Sequence, residues 1–90
     1  MAEKLSGNTA DWDEIANQCI SVLPDDIYQE STAEDALQVG EPYDAVLRIL
    51  DTLWGDHPEI AKKLPRILKR LVDDDPKSVY GMIPYYDELP

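Results

Sequence analysis

The sequence predicts an all-α fold, a compact single domain of four to five helices, and three observations carry that expectation. Asp11 with Glu14, and Ser31 with Glu34, have the spacing of capping boxes, in which each side chain can satisfy a backbone amide left unpaired at a helix start. Pro42, Pro58 and Pro76 stand where a first helical position would tolerate a missing N–H, and apolar residues recur around them at three- and four-residue steps. Nowhere do four or more residues alternate apolar and polar with β-branched enrichment and a hairpin dipeptide, so no strand is expected.

Residues 1–8 are polar, glycine-containing and aperiodic and read as a flexible lead-in to a single helical domain over 9–90. From the Asp11 cap a first helix should run to Leu23 and stop at Pro24, stacking Trp12, Ala16, Cys19, Ile20 and Leu23 on one face. Asp25 and Asp26 can begin a short turn carrying Ile27 and Tyr28. The Ser31 box then precedes Ala36, Leu37 and Val39, and Gly40 ends that piece. Pro42 opens the most apolar helix, with Tyr43, Val46, Leu47, Ile49, Leu50, Leu53 and Trp54, and Gly55 fits the left-handed residue after its end. Asp56 is read as the next cap and Pro58 as the next first position. The stripe Ile60, Leu64, Ile67, Leu68, Leu71, Val72 stays in phase across Pro65, which favours one helix over 58–72 kinked at that proline. Asp73, Asp74 and Asp75 break the pattern as a solvated, capping loop. Pro76 can start a last short turn through Tyr80, and Gly81 releases a tail that the prolines allow to be extended.

Charge is unevenly distributed along the chain. Residues 1–61 hold fourteen Asp/Glu against Lys4 and Arg48, a balance of −12, whereas Lys62, Lys63, Arg66, Lys69 and Arg70 put +5 into one stretch free of acids. With a net charge of −11 the compact state must work against self-repulsion, so stability should rise with salt. The five bases are expected to pair internally with the acidic helices. Direct nucleic-acid binding is not expected, because the remaining anionic surface repels a phosphate rod and no readout element flanks the basic run. No apolar run approaches the roughly 20 residues that span a bilayer, and an anionic surface is repelled by anionic lipid, so no membrane role is expected. One cysteine and the absence of an N-terminal basic-plus-apolar leader point to a cytoplasmic protein.

No chemical motif stands out, and no enzymatic activity, metal or cofactor is expected. An EF-hand loop starting at Asp73 would need glycine and glutamate where Ser78 and Pro84 stand. Cys19 lies in an apolar stripe with acidic surroundings and reads as a small buried hydrophobe. His57 lacks the companions of a zinc site, and the adjacent acidic pairs Asp13/Glu14, Asp25/Asp26 and Glu34/Asp35 point too far apart on a helix to share catalytic work. The tail is different: Tyr80, Tyr85 and Tyr86 interleave with Met82, Ile83, Asp87 and Glu88, which offers rigid contact area beside acids. It serves either to clasp the core or to bind a partner.

These properties, with the run Pro84, Tyr85, Tyr86, Asp87, give the chain a physical style that resembles the immunity proteins of bacterial nuclease toxins and, more loosely, DNA-mimic inhibitors. The immunity family is similar in carrying a Tyr-Tyr-Pro element after an aspartate. The order differs here and no residue role is carried across. Residues 42–80 also look like a HEAT-type antiparallel helix pair, although one and a half repeats fall short of the roughly three a solenoid needs. The functional expectation is an acidic protein-binding domain, an inhibitor that covers the basic surface of a toxin or nucleic-acid enzyme. The alternatives are a HEAT-like structural adaptor of a larger assembly and a DNA mimic. The residues assigned to partner contact are Asp25, Asp26, Glu34, Asp35, Tyr80, Tyr85, Tyr86, Asp87 and Glu88.

Overall fold

A computed structural model describes residues 4–90, and all its regular elements are helical. They are α1 (Trp12–Ile20), α2 (Asp25–Ser31), α3 (Ala33–Gln38), α4 (Pro42–Leu53), α5 (Pro58–Ala61), α6 (Ile67–Asp74) and a C-terminal 3-10 helix (Tyr80–Glu88). The radius of gyration is 12.2 Å. A 90-residue domain packed as one body should have about 12 Å.

The caps show how the chain enforces these short pieces. Asp11 accepts the Glu14 amide at 3.2 Å and starts α1, but Glu14 turns outward and accepts from the Gln18 amide, so the box is half made. α1 ends at Ile20, earlier than its pattern suggests, because Val22 and Leu23 tighten into i to i−3 bonds before Pro24. Ser31 does not cap α3. Its hydroxyl lies inside α2, donating to the Tyr28 carbonyl at 2.6 Å and accepting the Ala33 amide at 3.2 Å. The corner between α2 and α3 is made by Thr32 at φ 57°, an uncommon conformation for a β-branched residue. Arg48 holds it there, donating from Nη1 to the Thr32 carbonyl and hydroxyl at 3.2 and 3.1 Å. α3 then closes on Gly40 at φ 77°. The Gly40 amide reaches the Leu37 carbonyl and the Glu41 amide reaches the Ala36 carbonyl, which is the two-bond Schellman arrangement.

α4 is the central element and packs against α1, α2, α3, α5 and the 3-10 helix. Ala45, Val46, Ile49, Leu50 and Leu53 are buried along it, and α1 adds Ile15, Ala16 and Cys19. Pro42 occupies its first turn and Gly55, at φ 77°, follows its end, as the sequence implies. His57, without a side-chain bond, takes the cap position of α5 that Asp56 was expected to fill.

The single kinked helix over 58–72 is not formed. α5 stops at Ala61, Lys63 and Leu64 bond back only three residues, and α6 restarts at Ile67 with the Pro65 and Arg66 carbonyls as its first acceptors. Pro65 lacks the N–H that a continuous helix would have bonded to Ala61, and its ring would press on that carbonyl. The apolar stripe survives the break, because Ile60, Leu64, Leu68, Leu71 and Val72 are all buried. The second limb of the suggested HEAT-like pair is therefore two pieces of 4 and 8 residues rather than one long helix.

Asp73, Asp74 and Asp75 form a junction in place of a solvated loop. Asp73 accepts the Tyr86 hydroxyl at 2.6 Å, Asp74 accepts the Leu5 amide at 3.0 Å, and Asp75 accepts the Ser78 hydroxyl at 2.6 Å and the Gly7 amide at 3.2 Å. Both ends of the chain are thus tied to one turn. Residues 4–8, read from composition as part of a flexible lead-in, include a buried Gly7 whose carbonyl also accepts the Trp12 indole N–H at 2.7 Å; the rest of that expected lead-in, residues 1–3, lies outside the described residues. The tail is not extended. It winds as a 3-10 helix over Tyr80–Glu88 with Pro84 inside, and Met82 and Leu89 are buried against the core.

Candidate functional site: an acidic face, an aromatic tail and a cavity

α2 and α3 both begin with carboxylates. Asp25 and Asp26 lie in the first turn of α2 and Glu34 and Asp35 in the first turn of α3, all exposed. The helix dipole favours acids at these positions, which is a local reason for their placement. Among the described residues none of the four is in an ion pair, and the only Lys or Arg between residues 5 and 61 is Arg48. Its guanidinium is engaged by Asp44 at 3.0 Å and by Thr32. Glu34 in turn lies near enough to Tyr28 to add to the upward push that burial gives that phenol.

The tail residues divide by face. A 3-10 helix has three residues per turn, so positions i and i+3 eclipse. Met82, Tyr85 and Glu88 form the inner row: Met82 is buried, Tyr85 donates its hydroxyl to Asp51 at 3.3 Å, and Glu88 accepts the Gly55 amide at 3.3 Å. The Tyr85 ring meets Trp54 edge to face with centroids 6.3 Å apart. Burial raises the Tyr85 phenol, and the Asp51 charge and hydrogen bond raise it further. Tyr80, Ile83 and Tyr86 form the outer row. Tyr80 is 78% exposed and Ile83 41%, but Tyr86 is held by Asp73, whose hydrogen bond is the main cause of its raised phenol. Lys69 Nζ lies 4.6 Å from the centroid of the Tyr86 ring. Tyr85, Tyr86 and Glu88 thus have partners in the fold itself. Tyr80, Ile83 and the exposed Asp87 project outward. The acidic α2 and α3 and the tail all pack on α4, which carries the two groups.

Among the described residues, no ion pair joins Lys62, Lys63 or Arg66 to the acidic helices. Lys62, Lys63 and Arg66 are exposed with no carboxylate in ion-pair range among the described residues, and Arg70 bonds Asp74 on its own helix at 3.7 Å. The break at Pro65 leaves 62–66 in the connection between α5 and α6 instead of on one continuous helix face.

Cys19 is fully buried and desolvation pushes its thiol up to about 12, so it is an inert core residue rather than a nucleophile. His57 Nδ1 is 3.9 Å from Glu59. Among the described residues no cluster of three His, Cys, Asp or Glu could hold a metal ion, and no helix is long and apolar enough to cross a membrane.

One feature escaped the sequence reading. Trp12, Gly40, Glu41, Pro42, Tyr43, Asp44 and Leu47 line an open cavity of about 550 Å³ between the start of α1 and the first turns of α4. Trp12 and Tyr43 both fit the core stripes by their spacing, yet each is only half buried. The rings meet edge to face with centroids 4.7 Å apart and planes at 62°. The available signal was local: two acids, Glu41 and Asp44, bracket Pro42 and Tyr43. Compared with family models, curated proteins and solved structures, the chain matches none.

Proposed function

We propose that this protein is an acidic protein-binding domain, an inhibitor of the immunity type that covers the basic surface of a toxin or a nucleic-acid enzyme. The observation that carries the reading is the set of exposed carboxylates on α2 and α3, none of which is in an ion pair among the described residues. An anionic face of this kind raises the association rate with a cationic partner about 10- to 1000-fold and requires no catalytic residue of its own. Tyr80 and Ile83 supply the apolar contact that slows dissociation once the complex has formed.

The test uses the partner recovered from the native host at low salt. Surface plasmon resonance should show association of the parent falling steeply between about 50 mM and about 500 mM NaCl, because exposed charges are screened over roughly 10 Å at 0.1 M. Reversing Asp25, Asp26, Glu34 and Asp35 to lysine should slow association with little change in dissociation, and Tyr80→Ala with Ile83→Ala should do the opposite. A partner whose binding is indifferent to both salt and charge reversal would instead favour the adaptor reading. In that case the exposed Trp54, Ile83 and Tyr80 would form an apolar docking face within an assembly.

A further inference from the structure

We propose that the cavity walled by Trp12 and Tyr43 receives an arginine side chain of the basic partner, a reading that rests on the protein-binding function above. The volume, about 550 Å³, is within the range of about 300–1,000 Å³ that small-ligand sites occupy. Two aromatic rings at 62° form a corner, and a planar guanidinium can lie along one ring while meeting the edge or face of the other. Leu47 supplies an apolar contact for the arginine stem, and the exposed Glu41 supplies the carboxylate at the lip. Asp44 contributes less, because Arg48 already holds it at 3.0 Å. No Lys or Arg occurs between residues 5 and 47, so no side chain of that segment competes for the corner.

Both walls are fixed before a ligand arrives. The Trp12 indole N–H donates to the Gly7 carbonyl at 2.7 Å, which anchors the ring to the segment that Asp74 and Asp75 tie down. The Tyr43 hydroxyl lies close against Gly81, where a methyl would stand 3.2 Å from that hydroxyl and 2.9 Å from Leu47 Cδ1. A preformed corner avoids the cost of ordering side chains on binding. Gly81 also places the cavity next to Tyr80, the most exposed residue of the outer tail row, so a partner segment that seats an arginine in the corner can lie across Tyr80.

The probe is a capped peptide, acetyl-Gly-Arg-Gly-Arg-Gly-amide, compared with the same peptide carrying citrulline in place of both arginines. Binding is followed by backbone and indole N–H resonances at low salt. The arginine peptide should shift the Trp12 indole and the Leu47 amide saturably, and the citrulline peptide should not. Glu41→Gln, an exposed change remote from the core, should weaken binding ~3- to 10-fold, since it removes one unit charge at contact range. Tyr43→Leu should abolish the indole shift. Five results overturn the inference. Equal shifts from both peptides would make the cavity a neutral apolar slot. An unchanged affinity in Glu41→Gln would remove the charge from its recognition. Saturation by acetyl-arginine-amide alone, with the peptide excluded, would make the ligand a small free cation. Shifts confined to the carboxylate-bearing turns of α2 and α3, with Trp12 unmoved, would end the cavity proposal while leaving the acidic-face function intact; the absence of any saturable shift would count against both.

Discussion

Gly7→Ala is a small perturbation in a segment that composition alone would class as free, and the structure gives it a large effect. A methyl on Gly7 would collide with Ser78 Oγ and stand 2.7 Å from Val79 Cγ1. Neither neighbour can withdraw. Ser78 is engaged with Asp75 at 2.6 Å, and Val79 is fully buried. Forcing a methyl into such packing costs about 1–3 kcal/mol. For a domain of this size each kcal/mol lowers the melting temperature by about 4–8 °C, so the loss should be between about 4 and about 24 °C. If the segment lifts away to avoid the collision, the Trp12 indole loses its Gly7 carbonyl and the amides of Leu5 and Gly7 lose their aspartates. Thermal melting by circular dichroism measures the first consequence, and hydrogen exchange at Leu5 and Gly7 with the Trp12 indole resonance measures the second. A variant that melts within a degree of the parent and keeps the indole resonance and slow exchange would refute the clasp.

The remaining predictions concern the core and the titrating groups. Leu68→Ala, at a fully buried position, and Leu50→Ala, at 3% exposure, should each destabilise by about 2–5 kcal/mol in urea melts; if both changed little, the buried register of α4 and α6 would be wrong. Cys19 keeps its proton in the fold up to about 12 but loses it near 9.0 when unfolded, so its contribution is complete below pH 9 and is lost as pH rises toward the folded value. Stability between those values should therefore fall more steeply in the parent than in Cys19→Ala, by up to about 1.4 kcal/mol per pH unit, and equal slopes would contradict the desolvated thiol. Asp75 behaves in the opposite sense: chiefly through the Ser78 hydroxyl, and against its own desolvation, its carboxyl is held below 3.8, so its support is present above that value and lost as pH falls through the folded pKa. The protection of the Gly7 amide, its exchange rate taken relative to the intrinsic rate at each pH, should fall in acid, and Asp75→Asn should lower it at neutral pH.

The parts of this fold legible in the sequence are those whose cause is local. Asp11 at the start of α1, Pro42 at the start of α4, and Gly40 and Gly55 at helix ends act through backbone groups within a few residues. The α4 stripe was legible because one helix carries the centre of the core. The tail was not, since its 3-10 winding depends on Met82 and Leu89 finding the core and on tyrosine hydroxyls finding Asp51 and Asp73. The Gly7 to Ser78 bond spans 71 residues and leaves no periodic trace. Pro65 was legible as a disturbance, but a stripe that remains in phase cannot distinguish a kink from a break. The cavity was hidden for a related reason: apolar spacing places Trp12 and Tyr43 on inward faces, whereas only the packed chain shows that their rings are left half uncovered.

Two sets of acids differ in what the fold does with them, and the difference bears on function. Asp51, Asp73, Asp74, Asp75 and Glu88 each accept a bond that fastens a terminal segment, so the fold itself accounts for them. Among the described residues Asp25, Asp26, Glu34 and Asp35 make no such bond, and the helix dipole favours them where they stand. Neutralising these four, as Asp25→Asn, Asp26→Asn, Glu34→Gln and Asp35→Asn, weighs that favourable term against the repulsion of a chain at −11. If they serve a partner, the neutralised protein should melt at or above the parent temperature at low salt, and the difference should vanish as salt screens the repulsion. Its association with a cationic partner should slow over the same salt range. A variant that melts well below the parent at every salt concentration would mean that these carboxylates exist to start α2 and α3, and the acidic face would lose its claim to a partner.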